Sequence, residues 1–158
     1  MRSKLKLSFV PVVFLSFLVS VNSINAQDIT DEDLMKYAVL DQVIDLMKKD
    51  LSAEVNNLIR NQEGMTGQRY KELAQTKGDE TKLAEIEAKD YEIQFLKLID
   101  DLKDERTEAI KLVNQELATK MVGDRGKTYK SIKSALGSNP DVKARYEEIS
   151  ASISSETP

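Results

Sequence analysis

Apolar residues recur at spacings of three and four from Leu34 through Tyr37, Leu40, Ile44, Met47, Leu51, Val55 and Leu58. That spacing marks one buried stripe on a helix. Thr30 stands three residues before Asp33 in the manner of a capping box, and Asp31, Glu32 and Asp33 place negative charge at the positive end of the helix dipole. Nothing interrupts the stripe before Gly64. The pattern therefore predicts a helix over 31–62, about 48 Å long at 1.5 Å per residue. Gly64, Thr66 and Gly67 predict a turn, with Thr66 capping a short second helix that turns Tyr70 and Leu73 inward and stops at Gly78.

From Glu80 to Val122 there is neither Gly nor Pro. One straight helix of that length would reach about 64 Å, long for a domain of this size, so a bend or break is expected around Ala88 to Tyr91. The stripe resumes at Phe95, Ile99, Leu102, Ala109, Val113 and Leu117, interrupted by Glu105 and Arg106. Gly123 and Gly126 predict the next turn, followed by a short helix with Tyr129, Ile132 and Leu136 inward and Gly137 at its end. Asn139 and Pro140 then read as N-cap and first residue of a last helix. That helix presents Val142, Tyr146, Ile149 and Ile153, and 154–158 reads as a disordered tail.

The two halves lie over one another at a nearly constant spacing. Tyr37, Leu40, Ile44, Val55 and Ile59 map onto Phe95, Leu98, Leu102, Val113 and Leu117 at an offset of 58; Tyr70, Leu73, Gly78 and Leu83 map onto Tyr129, Ile132, Gly137 and Val142 at 59. The expected fold is all-α, an antiparallel helical bundle. Its single domain, 27–153, holds an internal repeat of two helical-hairpin halves, 31–89 and 90–153. Each half has a long first helix, and short helices close the ends.

The opening residues change the address. Arg2, Lys4 and Lys6 precede an apolar run from Leu7 to Val21 and a short polar stretch ending at Ala26, the parts of a secretory signal peptide over 1–26. Cleavage after Ser23 is the alternative. The apolar run falls short of the roughly 20 residues a bilayer span requires, and the chain is expected to be exported, periplasmic or extracellular, with no stable membrane insertion. Lys plus Arg number 23 and Asp plus Glu 27. Three of the basic residues and none of the acidic ones lie in the leader, so the mature charge is −7. Such a chain is a poor ligand for nucleic acid, whose binding rests on phosphate neutralisation by Lys and Arg.

Two segments carry a family resemblance. The start Ile29-Thr30-Asp31-Glu32-Asp33-Leu34-Met35-Lys36-Tyr37-Ala38 and the finish from Tyr129 to Tyr146, through Ser138-Asn139-Pro140-Asp141-Val142, resemble exported bacterial helical proteins grouped as a domain of unknown function. That group shares an acidic (I/F)-(S/T)-D-E-(E/D)-(L/I)-x-x-(F/Y)-A opening. The resemblance spans most of the mature chain and implies an exported helical protein. It implies no activity, cofactor or catalytic residue.

The candidate chemistry is sparse. There is no Cys and no His, which excludes disulfides, thiol nucleophiles, thiolate metal sites and the commonest general base. Gly126-Lys127-Thr128 looks like the end of a phosphate-binding loop, but the motif needs Gly where Met121 stands and a strand before it. It reads as a turn between helices. Asp100, Asp101, Asp104, Glu105 and Glu108 could converge on a cation, yet Lys97, Lys103, Arg106 and Lys111 at helical spacing read as their neutralising partners. Catalysis by two carboxylates needs a cleft and stacking aromatics. There is no Trp, and Tyr37, Tyr70, Phe95, Tyr129 and Tyr146 all fall on core stripes. A Ser–Lys hydrolase needs a buried Lys, and every Lys reads as exposed. No catalytic, cofactor-binding or metal residue is assigned, no cofactor is expected, and the chain is expected not to be an enzyme.

Binding is what remains. The expectation is a non-catalytic binding or structural module of the cell envelope, a monomer or weak homodimer with a protein partner or client. The alternative is a periplasmic chaperone-like holdase for unfolded exported proteins, for which Met35, Met47, Met65 and Met121 would be adaptable contacts.

Overall fold

Two long helices paired antiparallel carry a packed core at each end. A computed structural model describes residues 29–156, and the leader expected over 1–26 lies outside the described residues. The elements are α1 (Asp31–Asn61), α2 (Gly67–Thr76), α3 (Glu80–Glu85), α4 (Asp90–Glu116), α5 (Lys127–Ser138) and α6 (Pro140–Glu156). No strand occurs among the described residues. The fold is an all-α helical bundle, as expected.

Local chemistry sets each boundary. Thr30 Oγ1 accepts the Asp33 N–H at 3.1 Å while Asp33 accepts the Thr30 N–H at 3.1 Å, so the capping box satisfies two donors that the first turn of α1 leaves without helical partners. Thr66 caps α2 by accepting the Arg69 N–H at 3.1 Å. Asp79 caps α3 through the Lys82 N–H at 3.0 Å. The Asn139 side chain accepts the N–H groups of Asp141 and Val142 at 3.0 and 3.1 Å, ahead of Pro140. The expected break in the Gly-free stretch falls at Ile86 to Lys89. There the Ala88 N–H bonds to Leu83 O and the Glu87 N–H to Ala84 O, with Glu87 left-handed at φ 52. This is a Schellman stop with Glu where Gly usually stands. The far end of α4 widens into a π turn over Leu117–Met121, its Val122 N–H reaching back to Leu117 O at 3.0 Å. A π turn holds one more residue than an α turn, and it falls in the interval where the spacing between the two halves changes from 58 to 59.

One core joins the start of α1 (Leu34, Tyr37, Leu40, Ile44) to Ala118 and Val122 of the turn region, Ile132 of α5 and Val142 of α6. The other joins the end of α1 (Val55, Ile59) to Leu73 of α2, Leu83 of α3 and Phe95, Leu96 and Ile99 of α4. An aromatic pair sits in each: Tyr129 lies 5.2 Å from Tyr37, and Tyr70 lies 6.5 Å from Phe95. Between the cores, Met47, Leu51, Leu102, Ala109 and Ile110 are only half-buried. That stretch is the waist of the molecule.

Four expectations are corrected. Gly137 does not end α5, which runs on to Ser138 without a left-handed residue at 137; the stop is set by Asn139, held extended by the proline that follows. The tail expected to be disordered over 154–158 is helical through Glu156. Ser154 and Ser155 keep the helix going with hydroxyls that donate to the carbonyls of Ser150 and Ser152 at 2.9 and 2.7 Å, which lets serine stay inside a helix. Leu98, mapped onto buried Leu40, is 54% exposed, because α4 packs on Phe95, Leu96 and Ile99 instead. Finally, Lys36 and Lys103 are half-buried rather than exposed.

Candidate partner-binding surface

The residues singled out for chemistry do not assemble into a catalytic site. Gly126 adopts φ 82 and Lys127 and Thr128 begin α5, a turn between helices with no strand before it. Along α4, Lys97 pairs with Asp101 at 2.8 Å, Lys103 with Asp100 at 3.8 Å and Lys111 with Glu108 at 3.3 Å. Arg106 turns away from this acidic cluster to Glu54 of α1 at 3.5 Å. No group of three His, Cys, Asp or Glu side chains among the described residues is placed to hold a metal ion, and none of their helices is long and apolar enough to cross a membrane.

The most perturbed titratable groups are structural. Tyr146 of α6 donates to Asp41 of α1 at 2.9 Å, in a polar groove of about 280 Å³ that also holds Asp45, Lys49 and Ser150. Burial lifts the Asp41 carboxyl above its ordinary value, and the Tyr146 bond opposes the rise. Burial likewise pushes the Tyr146 phenol up to about 12 and raises Tyr37 beside it. A phenol held that high remains a donor at neutral pH and is no base. The trio Tyr37, Tyr129 and Tyr146, with rings 5.2 and 5.8 Å from Tyr37, clamps α6 and α5 onto α1.

A second polar device was missed altogether. Glu92 of α4 is 3% exposed and takes both arms of Arg69 from α2, Nε to Oε1 and Nη2 to Oε2, each at 2.7 Å. Arg69 also donates to the carbonyls of Ile86 and Glu87, and Glu92 accepts the Lys89 N–H at 2.9 Å. The guanidinium holds the Glu92 carboxyl down to about 2. This fork–fork geometry fixes α2 against the start of α4 and so sets one wall of the groove beside it.

Beside α2 the surface opens. A groove of about 450 Å³ between α1 and α2 has Val55 and Ile59 in its floor, Tyr70 in its wall, and Arg60 and Lys71 at its rim. It shares Val55 and Asn56 with a second section of about 400 Å³ between α1 and α4, where Leu51 continues the floor and Lys103 and Thr107 form the wall. Lys103 donates to the Tyr70 hydroxyl at 2.6 Å and lies 5.3 Å from its ring centroid, which joins the walls of the two sections. On the other side of the waist, Met47, Leu51 and Ile110 line a third groove of about 250 Å³ flanked by Asp50 and Glu54. Sequence reasoning placed Val55 on the stripe. It had no means of bringing Lys71 and Lys103, far apart in the chain, to one groove.

No protein-family model matches the chain, and neither the curated proteins nor the solved structures provide a match. What the molecule does must be argued from its own geometry.

Proposed function

We propose that the chain is a non-catalytic helical binding module of the bacterial cell envelope, reaching its place by export. The observation that carries this reading is the open waist. Two closed cores flank the middle of α1 and α4 and leave grooves on both sides of the pair. A preformed concave surface with an apolar floor and a few fixed polar groups is what a partner side chain or helix needs. The devices that shape it, the Arg69–Glu92 fork and the Lys103–Tyr70 contact, hold residues in place rather than present a reactive atom.

A holdase for unfolded exported proteins is the competing reading. Leu98 and Leu112, 54% and 55% exposed, together with Met35 and Leu46, are the observation in its favour, since apolar surface is what such a protein lends. They are spread along both long helices, whereas the two groove sections adjoin at Val55 and Asn56, so a dedicated partner is preferred. In-cell crosslinking of the tagged protein followed by mass spectrometry decides between them. The binding-module reading expects one or two partners at near-fixed stoichiometry. A broad set of unfolded exported clients that grows under heat stress would replace it with the holdase.

A further inference from the structure

We propose that the two-section groove along α1 receives an acidic amphipathic helix of the partner protein. The inference rests on the binding-module reading and adds the chemistry of the partner. The floor repeats on one helix face, at Leu51, Val55 and Ile59, and from Leu51 to Ile59 it extends about 12 Å. That length suits two to three turns of a docked helix anchored at i, i+3 or i+4, and i+7.

The sign of the partner follows from the rim. Arg60 and Lys71 stand at one section and Lys103 at the other, on a chain that is otherwise acidic. Lys103 is already positioned by Tyr70, so less of its side-chain freedom is left to lose on binding. The net negative charge of the whole molecule does not cancel this attraction. At about 0.1 M salt, charges more than about 10 Å away are screened; Asp100, inside that range, already pairs with Lys103 at 3.8 Å, so the attraction rests mainly on Arg60 and Lys71. The spread of cations over both sections disfavours a single-headed amphiphile, which would need its positive partners gathered at one end. Carboxylates one or two helical turns apart on a peptide meet both sections at once.

The test uses the full chain and two fluorescently labelled helical peptides in an anisotropy titration. Both peptides carry leucines at i, i+4 and i+7; one flanks them with glutamates, the other with lysines at the same positions. The expected result is saturable binding of the glutamate peptide, about tenfold or more tighter than the lysine peptide. The Arg60→Glu/Lys71→Glu double variant should reverse that preference. Both residues are exposed, and an unchanged thermal melt confirms that the variant folds. Equal binding of the two peptides, no binding of either, or a preference that survives the charge reversal would overturn the proposal. So would a homodimer that the same double variant dissociates, since the occupant would then be a second copy. A partner that crosslinks in cells equally well to wild type and double variant sinks the groove assignment and leaves the binding module standing. A wild-type protein that crosslinks no partner in cells, with its peptide preference as expected, sinks the module reading instead.

Discussion

Replacing Arg69 by Met removes the guanidinium that forks onto the buried Glu92 carboxylate, and the cost can be worked from two directions. The Glu92 carboxyl moves from 4.5 to about 2 on folding, which corresponds to about 3 kcal/mol of linked stability at neutral pH. Breaking a buried ion pair by deleting one partner costs about 3–5 kcal/mol, and the partly exposed guanidinium argues for the lower end. Arg69→Met is therefore expected to lose about 3 kcal/mol, or about 10 °C in Tm for a domain of this size. Glu92→Leu should lose less, about 2 kcal/mol, because the freed guanidinium can reach water and keeps its carbonyl acceptors. The double variant should cost well under the sum, with a coupling of about 1–3 kcal/mol. The sign with pH is fixed as well. The folded value lies below the unfolded one, so the contribution is present above pH 4.5 and lost as the pH falls towards 2. Thermal melts of the four proteins by circular dichroism, repeated across that window, measure all of this. An Arg69→Met variant within 1 kcal/mol of wild type, or strictly additive losses, would refute the account of the fork as a buried fastening.

Asp41 titrates in the opposite sense: its folded value is raised by burial, so the ionised form opposes folding at neutral pH and the opposition fades as the pH falls through that value. Asp41→Asn, which keeps an acceptor for Tyr146, should therefore raise stability at pH 7 by roughly 0.5 kcal/mol and lose that advantage in acid; a drop at pH 7 would contradict it. Gly64 has φ +74, and an added Cβ would lie 2.8 Å from the Tyr91 hydroxyl. Gly64→Ala should cost about 1 kcal/mol or more from backbone strain and crowding, part of it returned in a Tyr91→Ala background, as a urea-denaturation cycle would measure. Leu73 and Ile132, each fully buried but in different cores, should each lose about 2–4 kcal/mol on truncation to Ala. Hydrogen exchange should then rise in α2 and α3 for the first and in α5 and α6 for the second; identical exchange patterns would show that the two ends do not open separately.

Much of the frame is readable along the chain because the forces that set it are local. Thr30 with Asp33, Thr66, and Asn139 with Pro140 cap helices through atoms within three residues of one another. The break near Ala88 was legible because a helix of that length would overrun the domain. The parts that were not legible depend on distant residues. Glu92 looks like any surface glutamate until Arg69, 23 positions earlier, is folded against it. Leu98 sits on the apolar period but is left outside by the packing of Leu96. The cationic rim is invisible for the same reason. Arg60, Lys71 and Lys103 belong to three different helices, and helical period says which side of each helix faces inward, not which sides meet.

The two cores differ in the order in which a growing chain can complete them. One is built from a continuous stretch between Val55 and Ile99 and can close as soon as that stretch is free. The other waits: Leu34, Tyr37, Leu40 and Ile44 enter first, yet their covering residues run from Ala118 to Val142. Closing it bridges most of the chain, a slow, non-local step. Until the last helix arrives, the first turns of α1 hold an uncovered apolar face. A chain released before Val142 would keep one finished end and one sticky one, and would be the form most prone to aggregate.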